Sequence, residues 1–234
     1  MMAEQPLVLS PQGHLKLIIF DCDGVLVDSE ETCCRISAEE ARRVGMHVPD
    51  DQAVKVFSGM ALPGIQHMIE KETGAQLGKD WASMMQKRFV SAMKNGGEPI
   101  EGVYDMLNDI RKLGVPVRVA SNSSQEEMDA KFSITNLEHF FENRIHSARD
   151  MGIPKPKPDV YLKAAEEEGV SPSECLVLED SDTGARAAVD AGMTCVMLRA
   201  DEKSIPEWEN ILRINSLSQF APLVQKALQL QGRG

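Results

Sequence analysis

Basic residues, long apolar runs and paired cysteine motifs are all scarce in this chain of 234 residues. Lysine and arginine number 25 against 36 acidic residues, and the resulting net charge of −11 argues against a protein that binds the phosphate backbone of nucleic acids. No apolar run approaches the length that crosses a bilayer. Residues 1–14 lack a basic stretch followed by an apolar core, so we expect no signal peptide and a soluble cytoplasmic protein.

The five cysteines follow no metal-binding or redox pattern. Cys33 and Cys34 are adjacent, and there is no Cys-x-x-Cys pair. Cys175 and Cys195 fall in apolar runs, where a reduced cysteine packs as a small hydrophobic residue. We therefore expect free thiols.

Two aspartates, Asp21 and Asp23, flank Cys22 after a largely apolar run over residues 15–20. A run rich in Ile and Leu that ends in a Gly-containing loop is typical of a buried strand. Because side chains alternate along an extended chain, we expect both aspartates to leave on one side and Cys22 on the other. Two acids at a buried strand end are costly unless they bind a cation or share a proton. The alternative is an acidic turn, since Asp and Gly are common turn residues.

The region from residue 30 to about residue 97 has the pattern of consecutive helices separated by glycines. Apolar residues recur there at helical spacing, and we expect these Met-rich stripes to face a core rather than a cofactor. Their members are Leu62, Ile65, Met68, Ile69, Trp81, Met84, Met85, Phe89, Ala92 and Met93.

Beyond residue 99 the pattern changes to alternating strands and helices. The sequence predicts strands over 115–120, 144–147, 175–178 and 195–198. It predicts helices over 104–113, 125–132, 159–168 and 183–191, and a final packed helix after residue 217. A capping box formed by Ser123 and Glu126 would begin the helix over 125–132. Such alternation indicates a parallel sheet covered on both faces. We predict an α/β protein with a doubly wound, Rossmann-like sheet core (residues 1–29 and 98–234) and an inserted all-helical cap domain (residues 30–97).

Polar residues follow several of these predicted strands. Ligands of open parallel sheets bind at the carboxyl ends of the strands, so these residues are functional candidates. They are Asp21, Asp23, Ser121, Asn122, Glu179 and Asp180, with Lys155 in a proline-rich loop before the last pair.

Four carboxylates in two loops require a cation, and oxygen ligands without His or Cys indicate Mg²⁺ rather than zinc. Ser121 and Asn122 stand near a helix start and offer hydroxyl and backbone donors for a phosphate. Lys155 would add a fixed positive charge, whereas Lys157 is interpreted as a solvated loop residue.

Four motifs occur in order at these strand ends: DCDGVLVDSE at Asp21, VASNSS with Ser121, KPKPD with Lys155, and LEDSDTG with Glu179 and Asp180. From about residue 15 to 199 the chain therefore resembles the haloacid dehalogenase-like hydrolase superfamily. The resemblance is to its β-phosphoglucomutase-like sugar-phosphate phosphatases with a helical cap. Pro154 replaces the glycine that many relatives carry before the lysine, which leaves the charge in place.

The resemblance implies that Asp21 is a nucleophile that forms an aspartyl-phosphate, and that Asp23 is the general acid and base. It also implies Mg²⁺ bound by Asp21, Asp180 and the backbone carbonyl of Asp23. Glu179 would be either a ligand or an outer partner.

The resemblance further implies that Ser121, the backbone amide of Asn122 and Lys155 hold the transferring phosphoryl group. Dehalogenases of the superfamily lack an aspartate at the position of Asp23, so phosphoryl chemistry is expected.

The choice between phosphatase and phosphosugar mutase depends on the cap. Similar mutases carry an arginine shortly after the glycine that corresponds to Gly59, and residues 58–64 here contain no basic residue. We therefore expect a phosphatase for a sugar, sugar-acid or polyol phosphate, with the β-phosphoglucomutase-type mutase as the alternative. Gly59 and the loop to residue 64, with His67 and Lys71, are candidates for substrate selection, although an ordinary solvated helix face also explains the last two.

A more remote alternative is a receiver-like binding module that accepts a phosphoryl group without turnover. Receiver domains carry the acceptor on a middle strand, whereas Asp21 follows the first strand and precedes the helical insertion. The position of Asp21 in the chain therefore favours an enzyme over a receiver-like module.

Overall fold

The computed structural model of the protein describes residues 14–57, 60, 62–93, 97–200 and 203–232. Its strands are β1 (Leu17–Phe20), β2 (Val27–Asp28), β3 (Glu98–Pro99), β4 (Val117–Ser121), β5 (Ile145–Ser147), β6 (Cys175–Glu179), β7 (Thr194–Leu198) and β8 (Ile211–Ile214). Within the described residues, six strands form one sheet in the order β5-β4-β1-β6-β7-β8. Every neighbouring pair in that sheet is parallel.

The helices surround this sheet and fill the region between β2 and β3. They are α1 (Glu30–Arg43), α2 (Ala53–Phe57), α3 (Leu62–Thr73), α4 (Trp81–Met93), α5 (Val103–Leu113), α6 (Gln125–Ile134), α7 (Asp159–Glu168), α8 (Asp182–Asp190) and α9 (Phe220–Leu230). None of them, within the described part of the chain, is long and apolar enough to cross a membrane.

Strand β1 lies at the centre of the sheet and is buried on both faces. Ile18 and Phe20 join one apolar cluster with side chains from α5, α6 and α9. Leu17 and Ile19 join a second cluster with side chains from α7 and α8. This alternation buries every residue of the strand and confirms the predicted doubly wound parallel sheet.

The order of the strands defines where a ligand can bind. From β1 the chain moves outward to β4 and β5, then returns to β6 on the other side of β1 and continues to β7 and β8. The direction of winding therefore reverses beside β1. In sheets of this kind the crevice at the carboxyl end of the strands, at that reversal, is the usual binding site.

Helices α1 to α4 lie between β2 and β3 in the chain. These two strands pair antiparallel, so the chain leaves and re-enters the sheet region at adjacent positions. The four helices share an apolar cluster of their own, which includes Phe57, Ile65, Ile69, Trp81 and Met85. The boundaries of the cap domain at residues 30 and 97 stay a prediction.

The Met-rich stripes face this helical cluster only in part. Met85 is fully buried and Met68 packs against the cluster. Met84 is exposed, because it occupies the outer side of α4. The side chain of Met93 lies outside the described part of the structure.

Two local features differ from the sequence-based expectation. The capping box of α6 is formed by Ser124 and Glu127, one residue later than the predicted pair of Ser123 and Glu126. Strand β8 was not predicted, because its short run of four residues is mostly half-buried at the edge of the sheet. All five cysteines are free thiols, as expected.

Candidate active site

Asp21 and Asp23 begin the loop after β1, at the reversal of strand order. Asp21 is 7% exposed, and Cys22 points away from it into a buried apolar cluster. Gly24 follows with a φ of +78°, and a Cβ there would lie 2.3 Å from Asp180 Oδ2. Glycine at this position therefore allows both the left-handed turn and the close approach of the loop after β6.

Lys155 joins the two acidic loops. Its Nζ lies 2.7 Å from Asp21 Oδ1 and 2.7 Å from Glu179 Oε1. Burial would lower the pKa of Lys155, but the two carboxylates hold it above its ordinary value, so the side chain is charged. The loop is anchored by Asn122, whose Oδ1 accepts a hydrogen bond from the Lys155 backbone amide at 2.8 Å. Lys157, two residues later, is exposed.

Both oxygens of Glu179 are already engaged within the protein. Oε1 accepts from Lys155 Nζ and, at 3.1 Å, from the Tyr161 hydroxyl. Oε2 accepts from the backbone amides of Asp180 and Ser181 at 3.0 Å each and from the Ser181 hydroxyl at 2.9 Å. Burial would raise the pKa of Glu179, but Lys155 and these hydrogen bonds hold it below its usual value. Glu179 is thus a charged, rigidly held carboxylate.

Gly184 in α8 allows Glu179 to take this position. A Cβ on Gly184 would lie 1.5 Å from Glu179 Oε1, far too close for two non-bonded atoms, so one of them would have to move. The first turn of α8 therefore packs its backbone directly against the carboxylate.

Asp21, Glu179 and Asp180 form an acidic cluster that could hold a metal ion. One carboxylate oxygen from each lies within 4.8 Å of the others. Burial raises the pKa of Asp21 to about 7 despite the opposing charge of Lys155. Burial and the charges of Glu179 and Asp21 raise the pKa of Asp180 to about 8. Because Lys155 brings a single positive charge to three carboxylates, a cation would relieve the remaining repulsion.

Asp23 is held by a separate set of donors. Lys131 Nζ lies 2.5 Å from its Oδ1, which also accepts from the Ser29 hydroxyl, and the Ser123 hydroxyl donates to Oδ2 at 2.7 Å. Burial would raise the pKa of Asp23, but Lys131 and the two hydroxyls hold it below its usual value. The two aspartates of the loop are thus paired with different lysines.

The serine loop, residues 121–124, connects β4 to α6 beside these aspartates. Ser121 is buried, and its hydroxyl accepts from the Ser123 backbone amide at 3.0 Å. Ser124 caps α6: its hydroxyl accepts from the Glu127 amide at 3.2 Å, and Glu127 Oε2 accepts from the Ser124 amide at 2.7 Å. The loop therefore leads directly into a helix N-terminus, which favours anions.

Glu127 also links the serine loop to the helical region. Arg149 Nη1 donates to its Oε2 at 2.7 Å. The side-chain amide of Gln86, on α4, lies beside both groups: in one orientation it donates to Glu127 Oε1 at 3.3 Å, and in the reverse orientation its oxygen accepts from the Arg149 guanidinium. One buried carboxylate thus joins the cap of α6 to a helix of the inserted region.

The structure describes only some of the residues that were predicted to select the substrate. Gly59 lies outside the described residues. His67 and Lys71 line a cavity of about 510 Å³ on the surface of α3. The other residues that line it are Met60, Gly64, Met68 and Glu72, so this cavity is formed without the strand-end residues.

Lys131, Tyr161 and Gly184 contribute to the site without having been identified from the sequence. Lys131 carries a usable signal, since it falls at helical spacing with Met128 and Phe132 on the buried face of α6, where a lysine is rare. Tyr161 carries none, because its contact with Glu179 comes from tertiary packing. Gly184 is the last residue of the LEDSDTG motif, but the motif alone does not indicate its contact with Glu179.

The fold and these strand-end residues define a class of hydrolase. A family model described as haloacid dehalogenase-like hydrolase matches residues 15–192. The chain belongs to this family, as the sequence motifs indicate.

Individual relatives agree with this assignment. The chain is 30% identical to 6-phosphogluconate phosphatase of Escherichia coli over 83% of its own length and 87% of that protein. It is 26% identical to hexitol phosphatase A of the same organism, covering 88% of this chain and 93% of that one. A solved structure of a conserved haloacid dehalogenase-like protein of unknown function from Agrobacterium tumefaciens superposes with a TM-score of 0.75 at 29% identity, covering 92% and 99% of the two chains. Membership of this family sets the receiver-like alternative aside.

Proposed function

We propose that the protein is a Mg²⁺-dependent phosphatase that hydrolyses a small phosphorylated metabolite through an aspartyl-phosphate on Asp21. The observation that carries this proposal is the separate pairing of two neighbouring aspartates. Asp21 contacts Lys155 within the acidic cluster, and Asp23 contacts Lys131 outside it. The two carboxylates of one loop therefore have different surroundings, which allows them to take different roles.

The acidic cluster fits a divalent cation of the Mg²⁺ type, because it offers carboxylate oxygens alone. Asp21 and Asp180 would hold the ion together with the backbone carbonyl of Asp23. Glu179 would stay an outer partner, since both of its oxygens accept hydrogen bonds from the protein. When bound, the ion would supply positive charge that reduces the repulsion between the carboxylate and an anionic phosphate.

In the first step an oxygen of Asp21 attacks phosphorus. The new O–P bond forms while the bond to the leaving oxygen breaks, and that oxygen takes the electron pair. Lys155 lies 2.7 Å from Asp21 Oδ1, so it can also contact a phosphoryl oxygen next to that atom. The Ser121 hydroxyl and the Asn122 backbone amide would bind the other phosphoryl oxygens at the start of α6.

Asp23 moves the protons in both steps. It donates one to the leaving alkoxide, and its carboxylate then accepts one from the water that releases inorganic phosphate from Asp21. Such acid/base help contributes about 10²–10⁴-fold to the rate. With Lys131 and two hydroxyl groups on its oxygens, Asp23 is ionised in the substrate-free protein, which is the form that the second step uses. For the first step it must take up a proton from water as the anionic substrate binds, and this is the proton that it gives to the leaving oxygen.

The substrate class is proposed from the relatives, which are named as phosphatases of a sugar acid and of hexitols. We propose a sugar, sugar-acid or polyol phosphate. The helical region over residues 30–97 would act as the cap on a core of residues 1–29 and 98–234, with the loop from Gly59 to residue 64 selecting the substrate. A cytoplasmic location, where such metabolites are found, is part of the proposal.

The first experiment measures phosphate release from a panel of sugar, sugar-acid and polyol monophosphates with Mg²⁺. EDTA and Asp21→Asn are the controls, because removal of the ion or of the nucleophile should abolish turnover. Wild-type turnover by Asp21→Asn would contradict the proposal. Isomerisation of β-glucose 1-phosphate with a bisphosphate primer, without net phosphate release, would identify a mutase instead.

A further inference from the structure

Two lysines are buried among those that the structure describes, Lys131 and Lys155. Each contacts one of the two aspartates after β1. Lys155 belongs to the motifs that define the family, whereas Lys131 lies in the middle of α6 and outside all four of them. A lysine that is 4% exposed in a helix interior needs a specific partner, since burial of an unpaired ammonium is strongly unfavourable.

The contacts of Lys131 converge on the Asp23 carboxylate. Its Nζ lies 2.5 Å from Asp23 Oδ1 and 3.1 Å from the Ser123 hydroxyl. That hydroxyl in turn donates to Asp23 Oδ2 at 2.7 Å. Lys131 therefore contacts one oxygen directly and the other through Ser123, which fixes the plane of the carboxylate as well as its position.

A second fixed point lies at the start of α1, directly before the inserted region. Ser29 stands at the N-cap of α1, but its side chain makes no capping hydrogen bond and donates to Asp23 Oδ1 instead. Asp23 is thus held from α6 on one side and from the start of α1 on the other. Of these donors, Lys131 is the charged one, and a charge-assisted hydrogen bond is roughly twice as strong as a neutral one.

We propose that Lys131 is a positioning residue that orients the Asp23 carboxyl group toward the leaving oxygen of the substrate. This inference rests on the proposed phosphatase function. Proton transfer needs the carboxyl oxygen within about 2.6–3.2 Å of its partner. A displacement of about 1 Å can cost about 10²-fold in rate. Loss of Lys131 should therefore slow substrates that need a proton on the leaving group.

The test compares two kinds of leaving group in Lys131→Met, which keeps the chain length and removes the charge. We expect kcat to fall by about 10–10²-fold on the best alkyl or sugar phosphate of the panel. On p-nitrophenyl phosphate, whose leaving group needs little protonation, we expect a fall of less than about 3-fold. Lys131→Arg should recover part of the loss. The matched control is Lys112→Met, which removes an exposed lysine of α5 that pairs with Asp109.

A double variant separates positioning from a general loss of structure. In the Asp23→Asn background, Lys131→Met should change kcat by less than about 3-fold, because the group that it orients is already disabled. Equal losses on both substrates, or a full further loss in the Asp23→Asn background, would overturn the inference. If Lys131→Met alone does not fold, the comparison of the double variant with Asp23→Asn and the behaviour of Lys131→Arg decide the question.

Failure of this inference can be told apart from failure of the proposed function. If Asp21→Asn is inactive while Lys131→Met matches wild type on both substrates, the phosphatase proposal stands and the role of Lys131 is wrong. If Asp21→Asn turns over normally, the proposed function itself is wrong.

Discussion

Replacement of Gly184 by alanine should destabilise the protein by displacing Glu179. The three atoms nearest to the new Cβ all belong to the Glu179 carboxyl group, the nearest at 1.5 Å. That group would have to move away from Lys155 and from the other donors on its two oxygens. The backbone of α8 at Gly184 is not in the left-handed conformation that favours glycine, and no other atom lies nearer to the new Cβ than these three.

The magnitude follows from two opposing effects. Displacement of one partner from a buried ion pair costs about 3–5 kcal/mol. Alanine in place of glycine within a helix contributes about 0.5–1 kcal/mol in the other direction. The free energy of unfolding should therefore fall by about 2–4 kcal/mol, a large part of the roughly 5–15 kcal/mol that stabilises a typical domain.

Urea unfolding of four proteins measures this effect: wild type, Gly184→Ala, Glu179→Ala and the double variant. In the Glu179→Ala background the obstructing carboxyl group is absent, so Gly184→Ala should become neutral or stabilising by up to about 1 kcal/mol. Gly64→Ala is the matched control, because this glycine also lies in a helix and its new Cβ would meet only Met60 Cε at 3.6 Å.

The reasoning would be refuted if Gly184→Ala lowered the free energy of unfolding equally in both backgrounds. It would also be refuted if Gly184→Ala behaved like Gly64→Ala, since the contact with Glu179 would then have no energetic weight.

Three further predictions concern the lysine loop, the acidic cluster and the serine loop. Lys155→Ala should remove nearly all phosphatase activity, measured as phosphate release, because it takes the positive charge away from a buried carboxylate pair. The control Lys157→Ala, at an exposed lysine, should keep that activity. The reverse result would mean that the phosphate-binding lysine is misassigned. The pKa values of Asp21 and Asp180 are raised to about 7 and about 8, so these two groups bind more protons in the folded metal-free protein than in the unfolded chain between about pH 4 and pH 8. Their contribution to stability therefore falls as pH rises through that range. The increase in Tm on addition of Mg²⁺ should accordingly be larger at pH 8.5 than at pH 6, where the ion must displace protons, and an increase independent of pH would argue against this site. Ser124→Ala should lower the free energy of unfolding by about 1 kcal/mol, because it removes the N-cap of α6. Urea titration measures this change, and no measurable change would show that the cap is dispensable.

The sequence predicts well those features that depend on neighbouring residues in the chain. The helix over residues 159–168 has the predicted bounds, because Gly169 ends it in a left-handed conformation. The buried strand before Asp21 was predicted from its continuous apolar run, and parallel pairing follows from the alternation with helices. The strand-end rule then brings Asp21 and Glu179 together, whereas Lys155 follows no strand directly and was selected from its proline-rich loop.

Features that depend on tertiary contacts were predicted less well. Two overlapping Ser-x-x-Glu patterns precede α6, and local sequence cannot separate them. The structure uses the second, since the Ser123 hydroxyl bonds to Asp23 and is not available as a cap. Lys131 is a similar case: its charge suggests a solvated position, whereas the distant Asp23 makes a buried one favourable.

The position of Glu127 has a consequence for exchanging parts between relatives. This carboxylate caps the helix that follows the serine loop, pairs with Arg149 and meets Gln86 from the inserted region. A chimera that received a foreign insertion without a counterpart of Gln86 would leave the Glu127 and Arg149 pair without its third member, next to the serine loop. Specificity and catalytic competence would then change together, so swapping of the helical region between family members has to carry this three-residue junction with it.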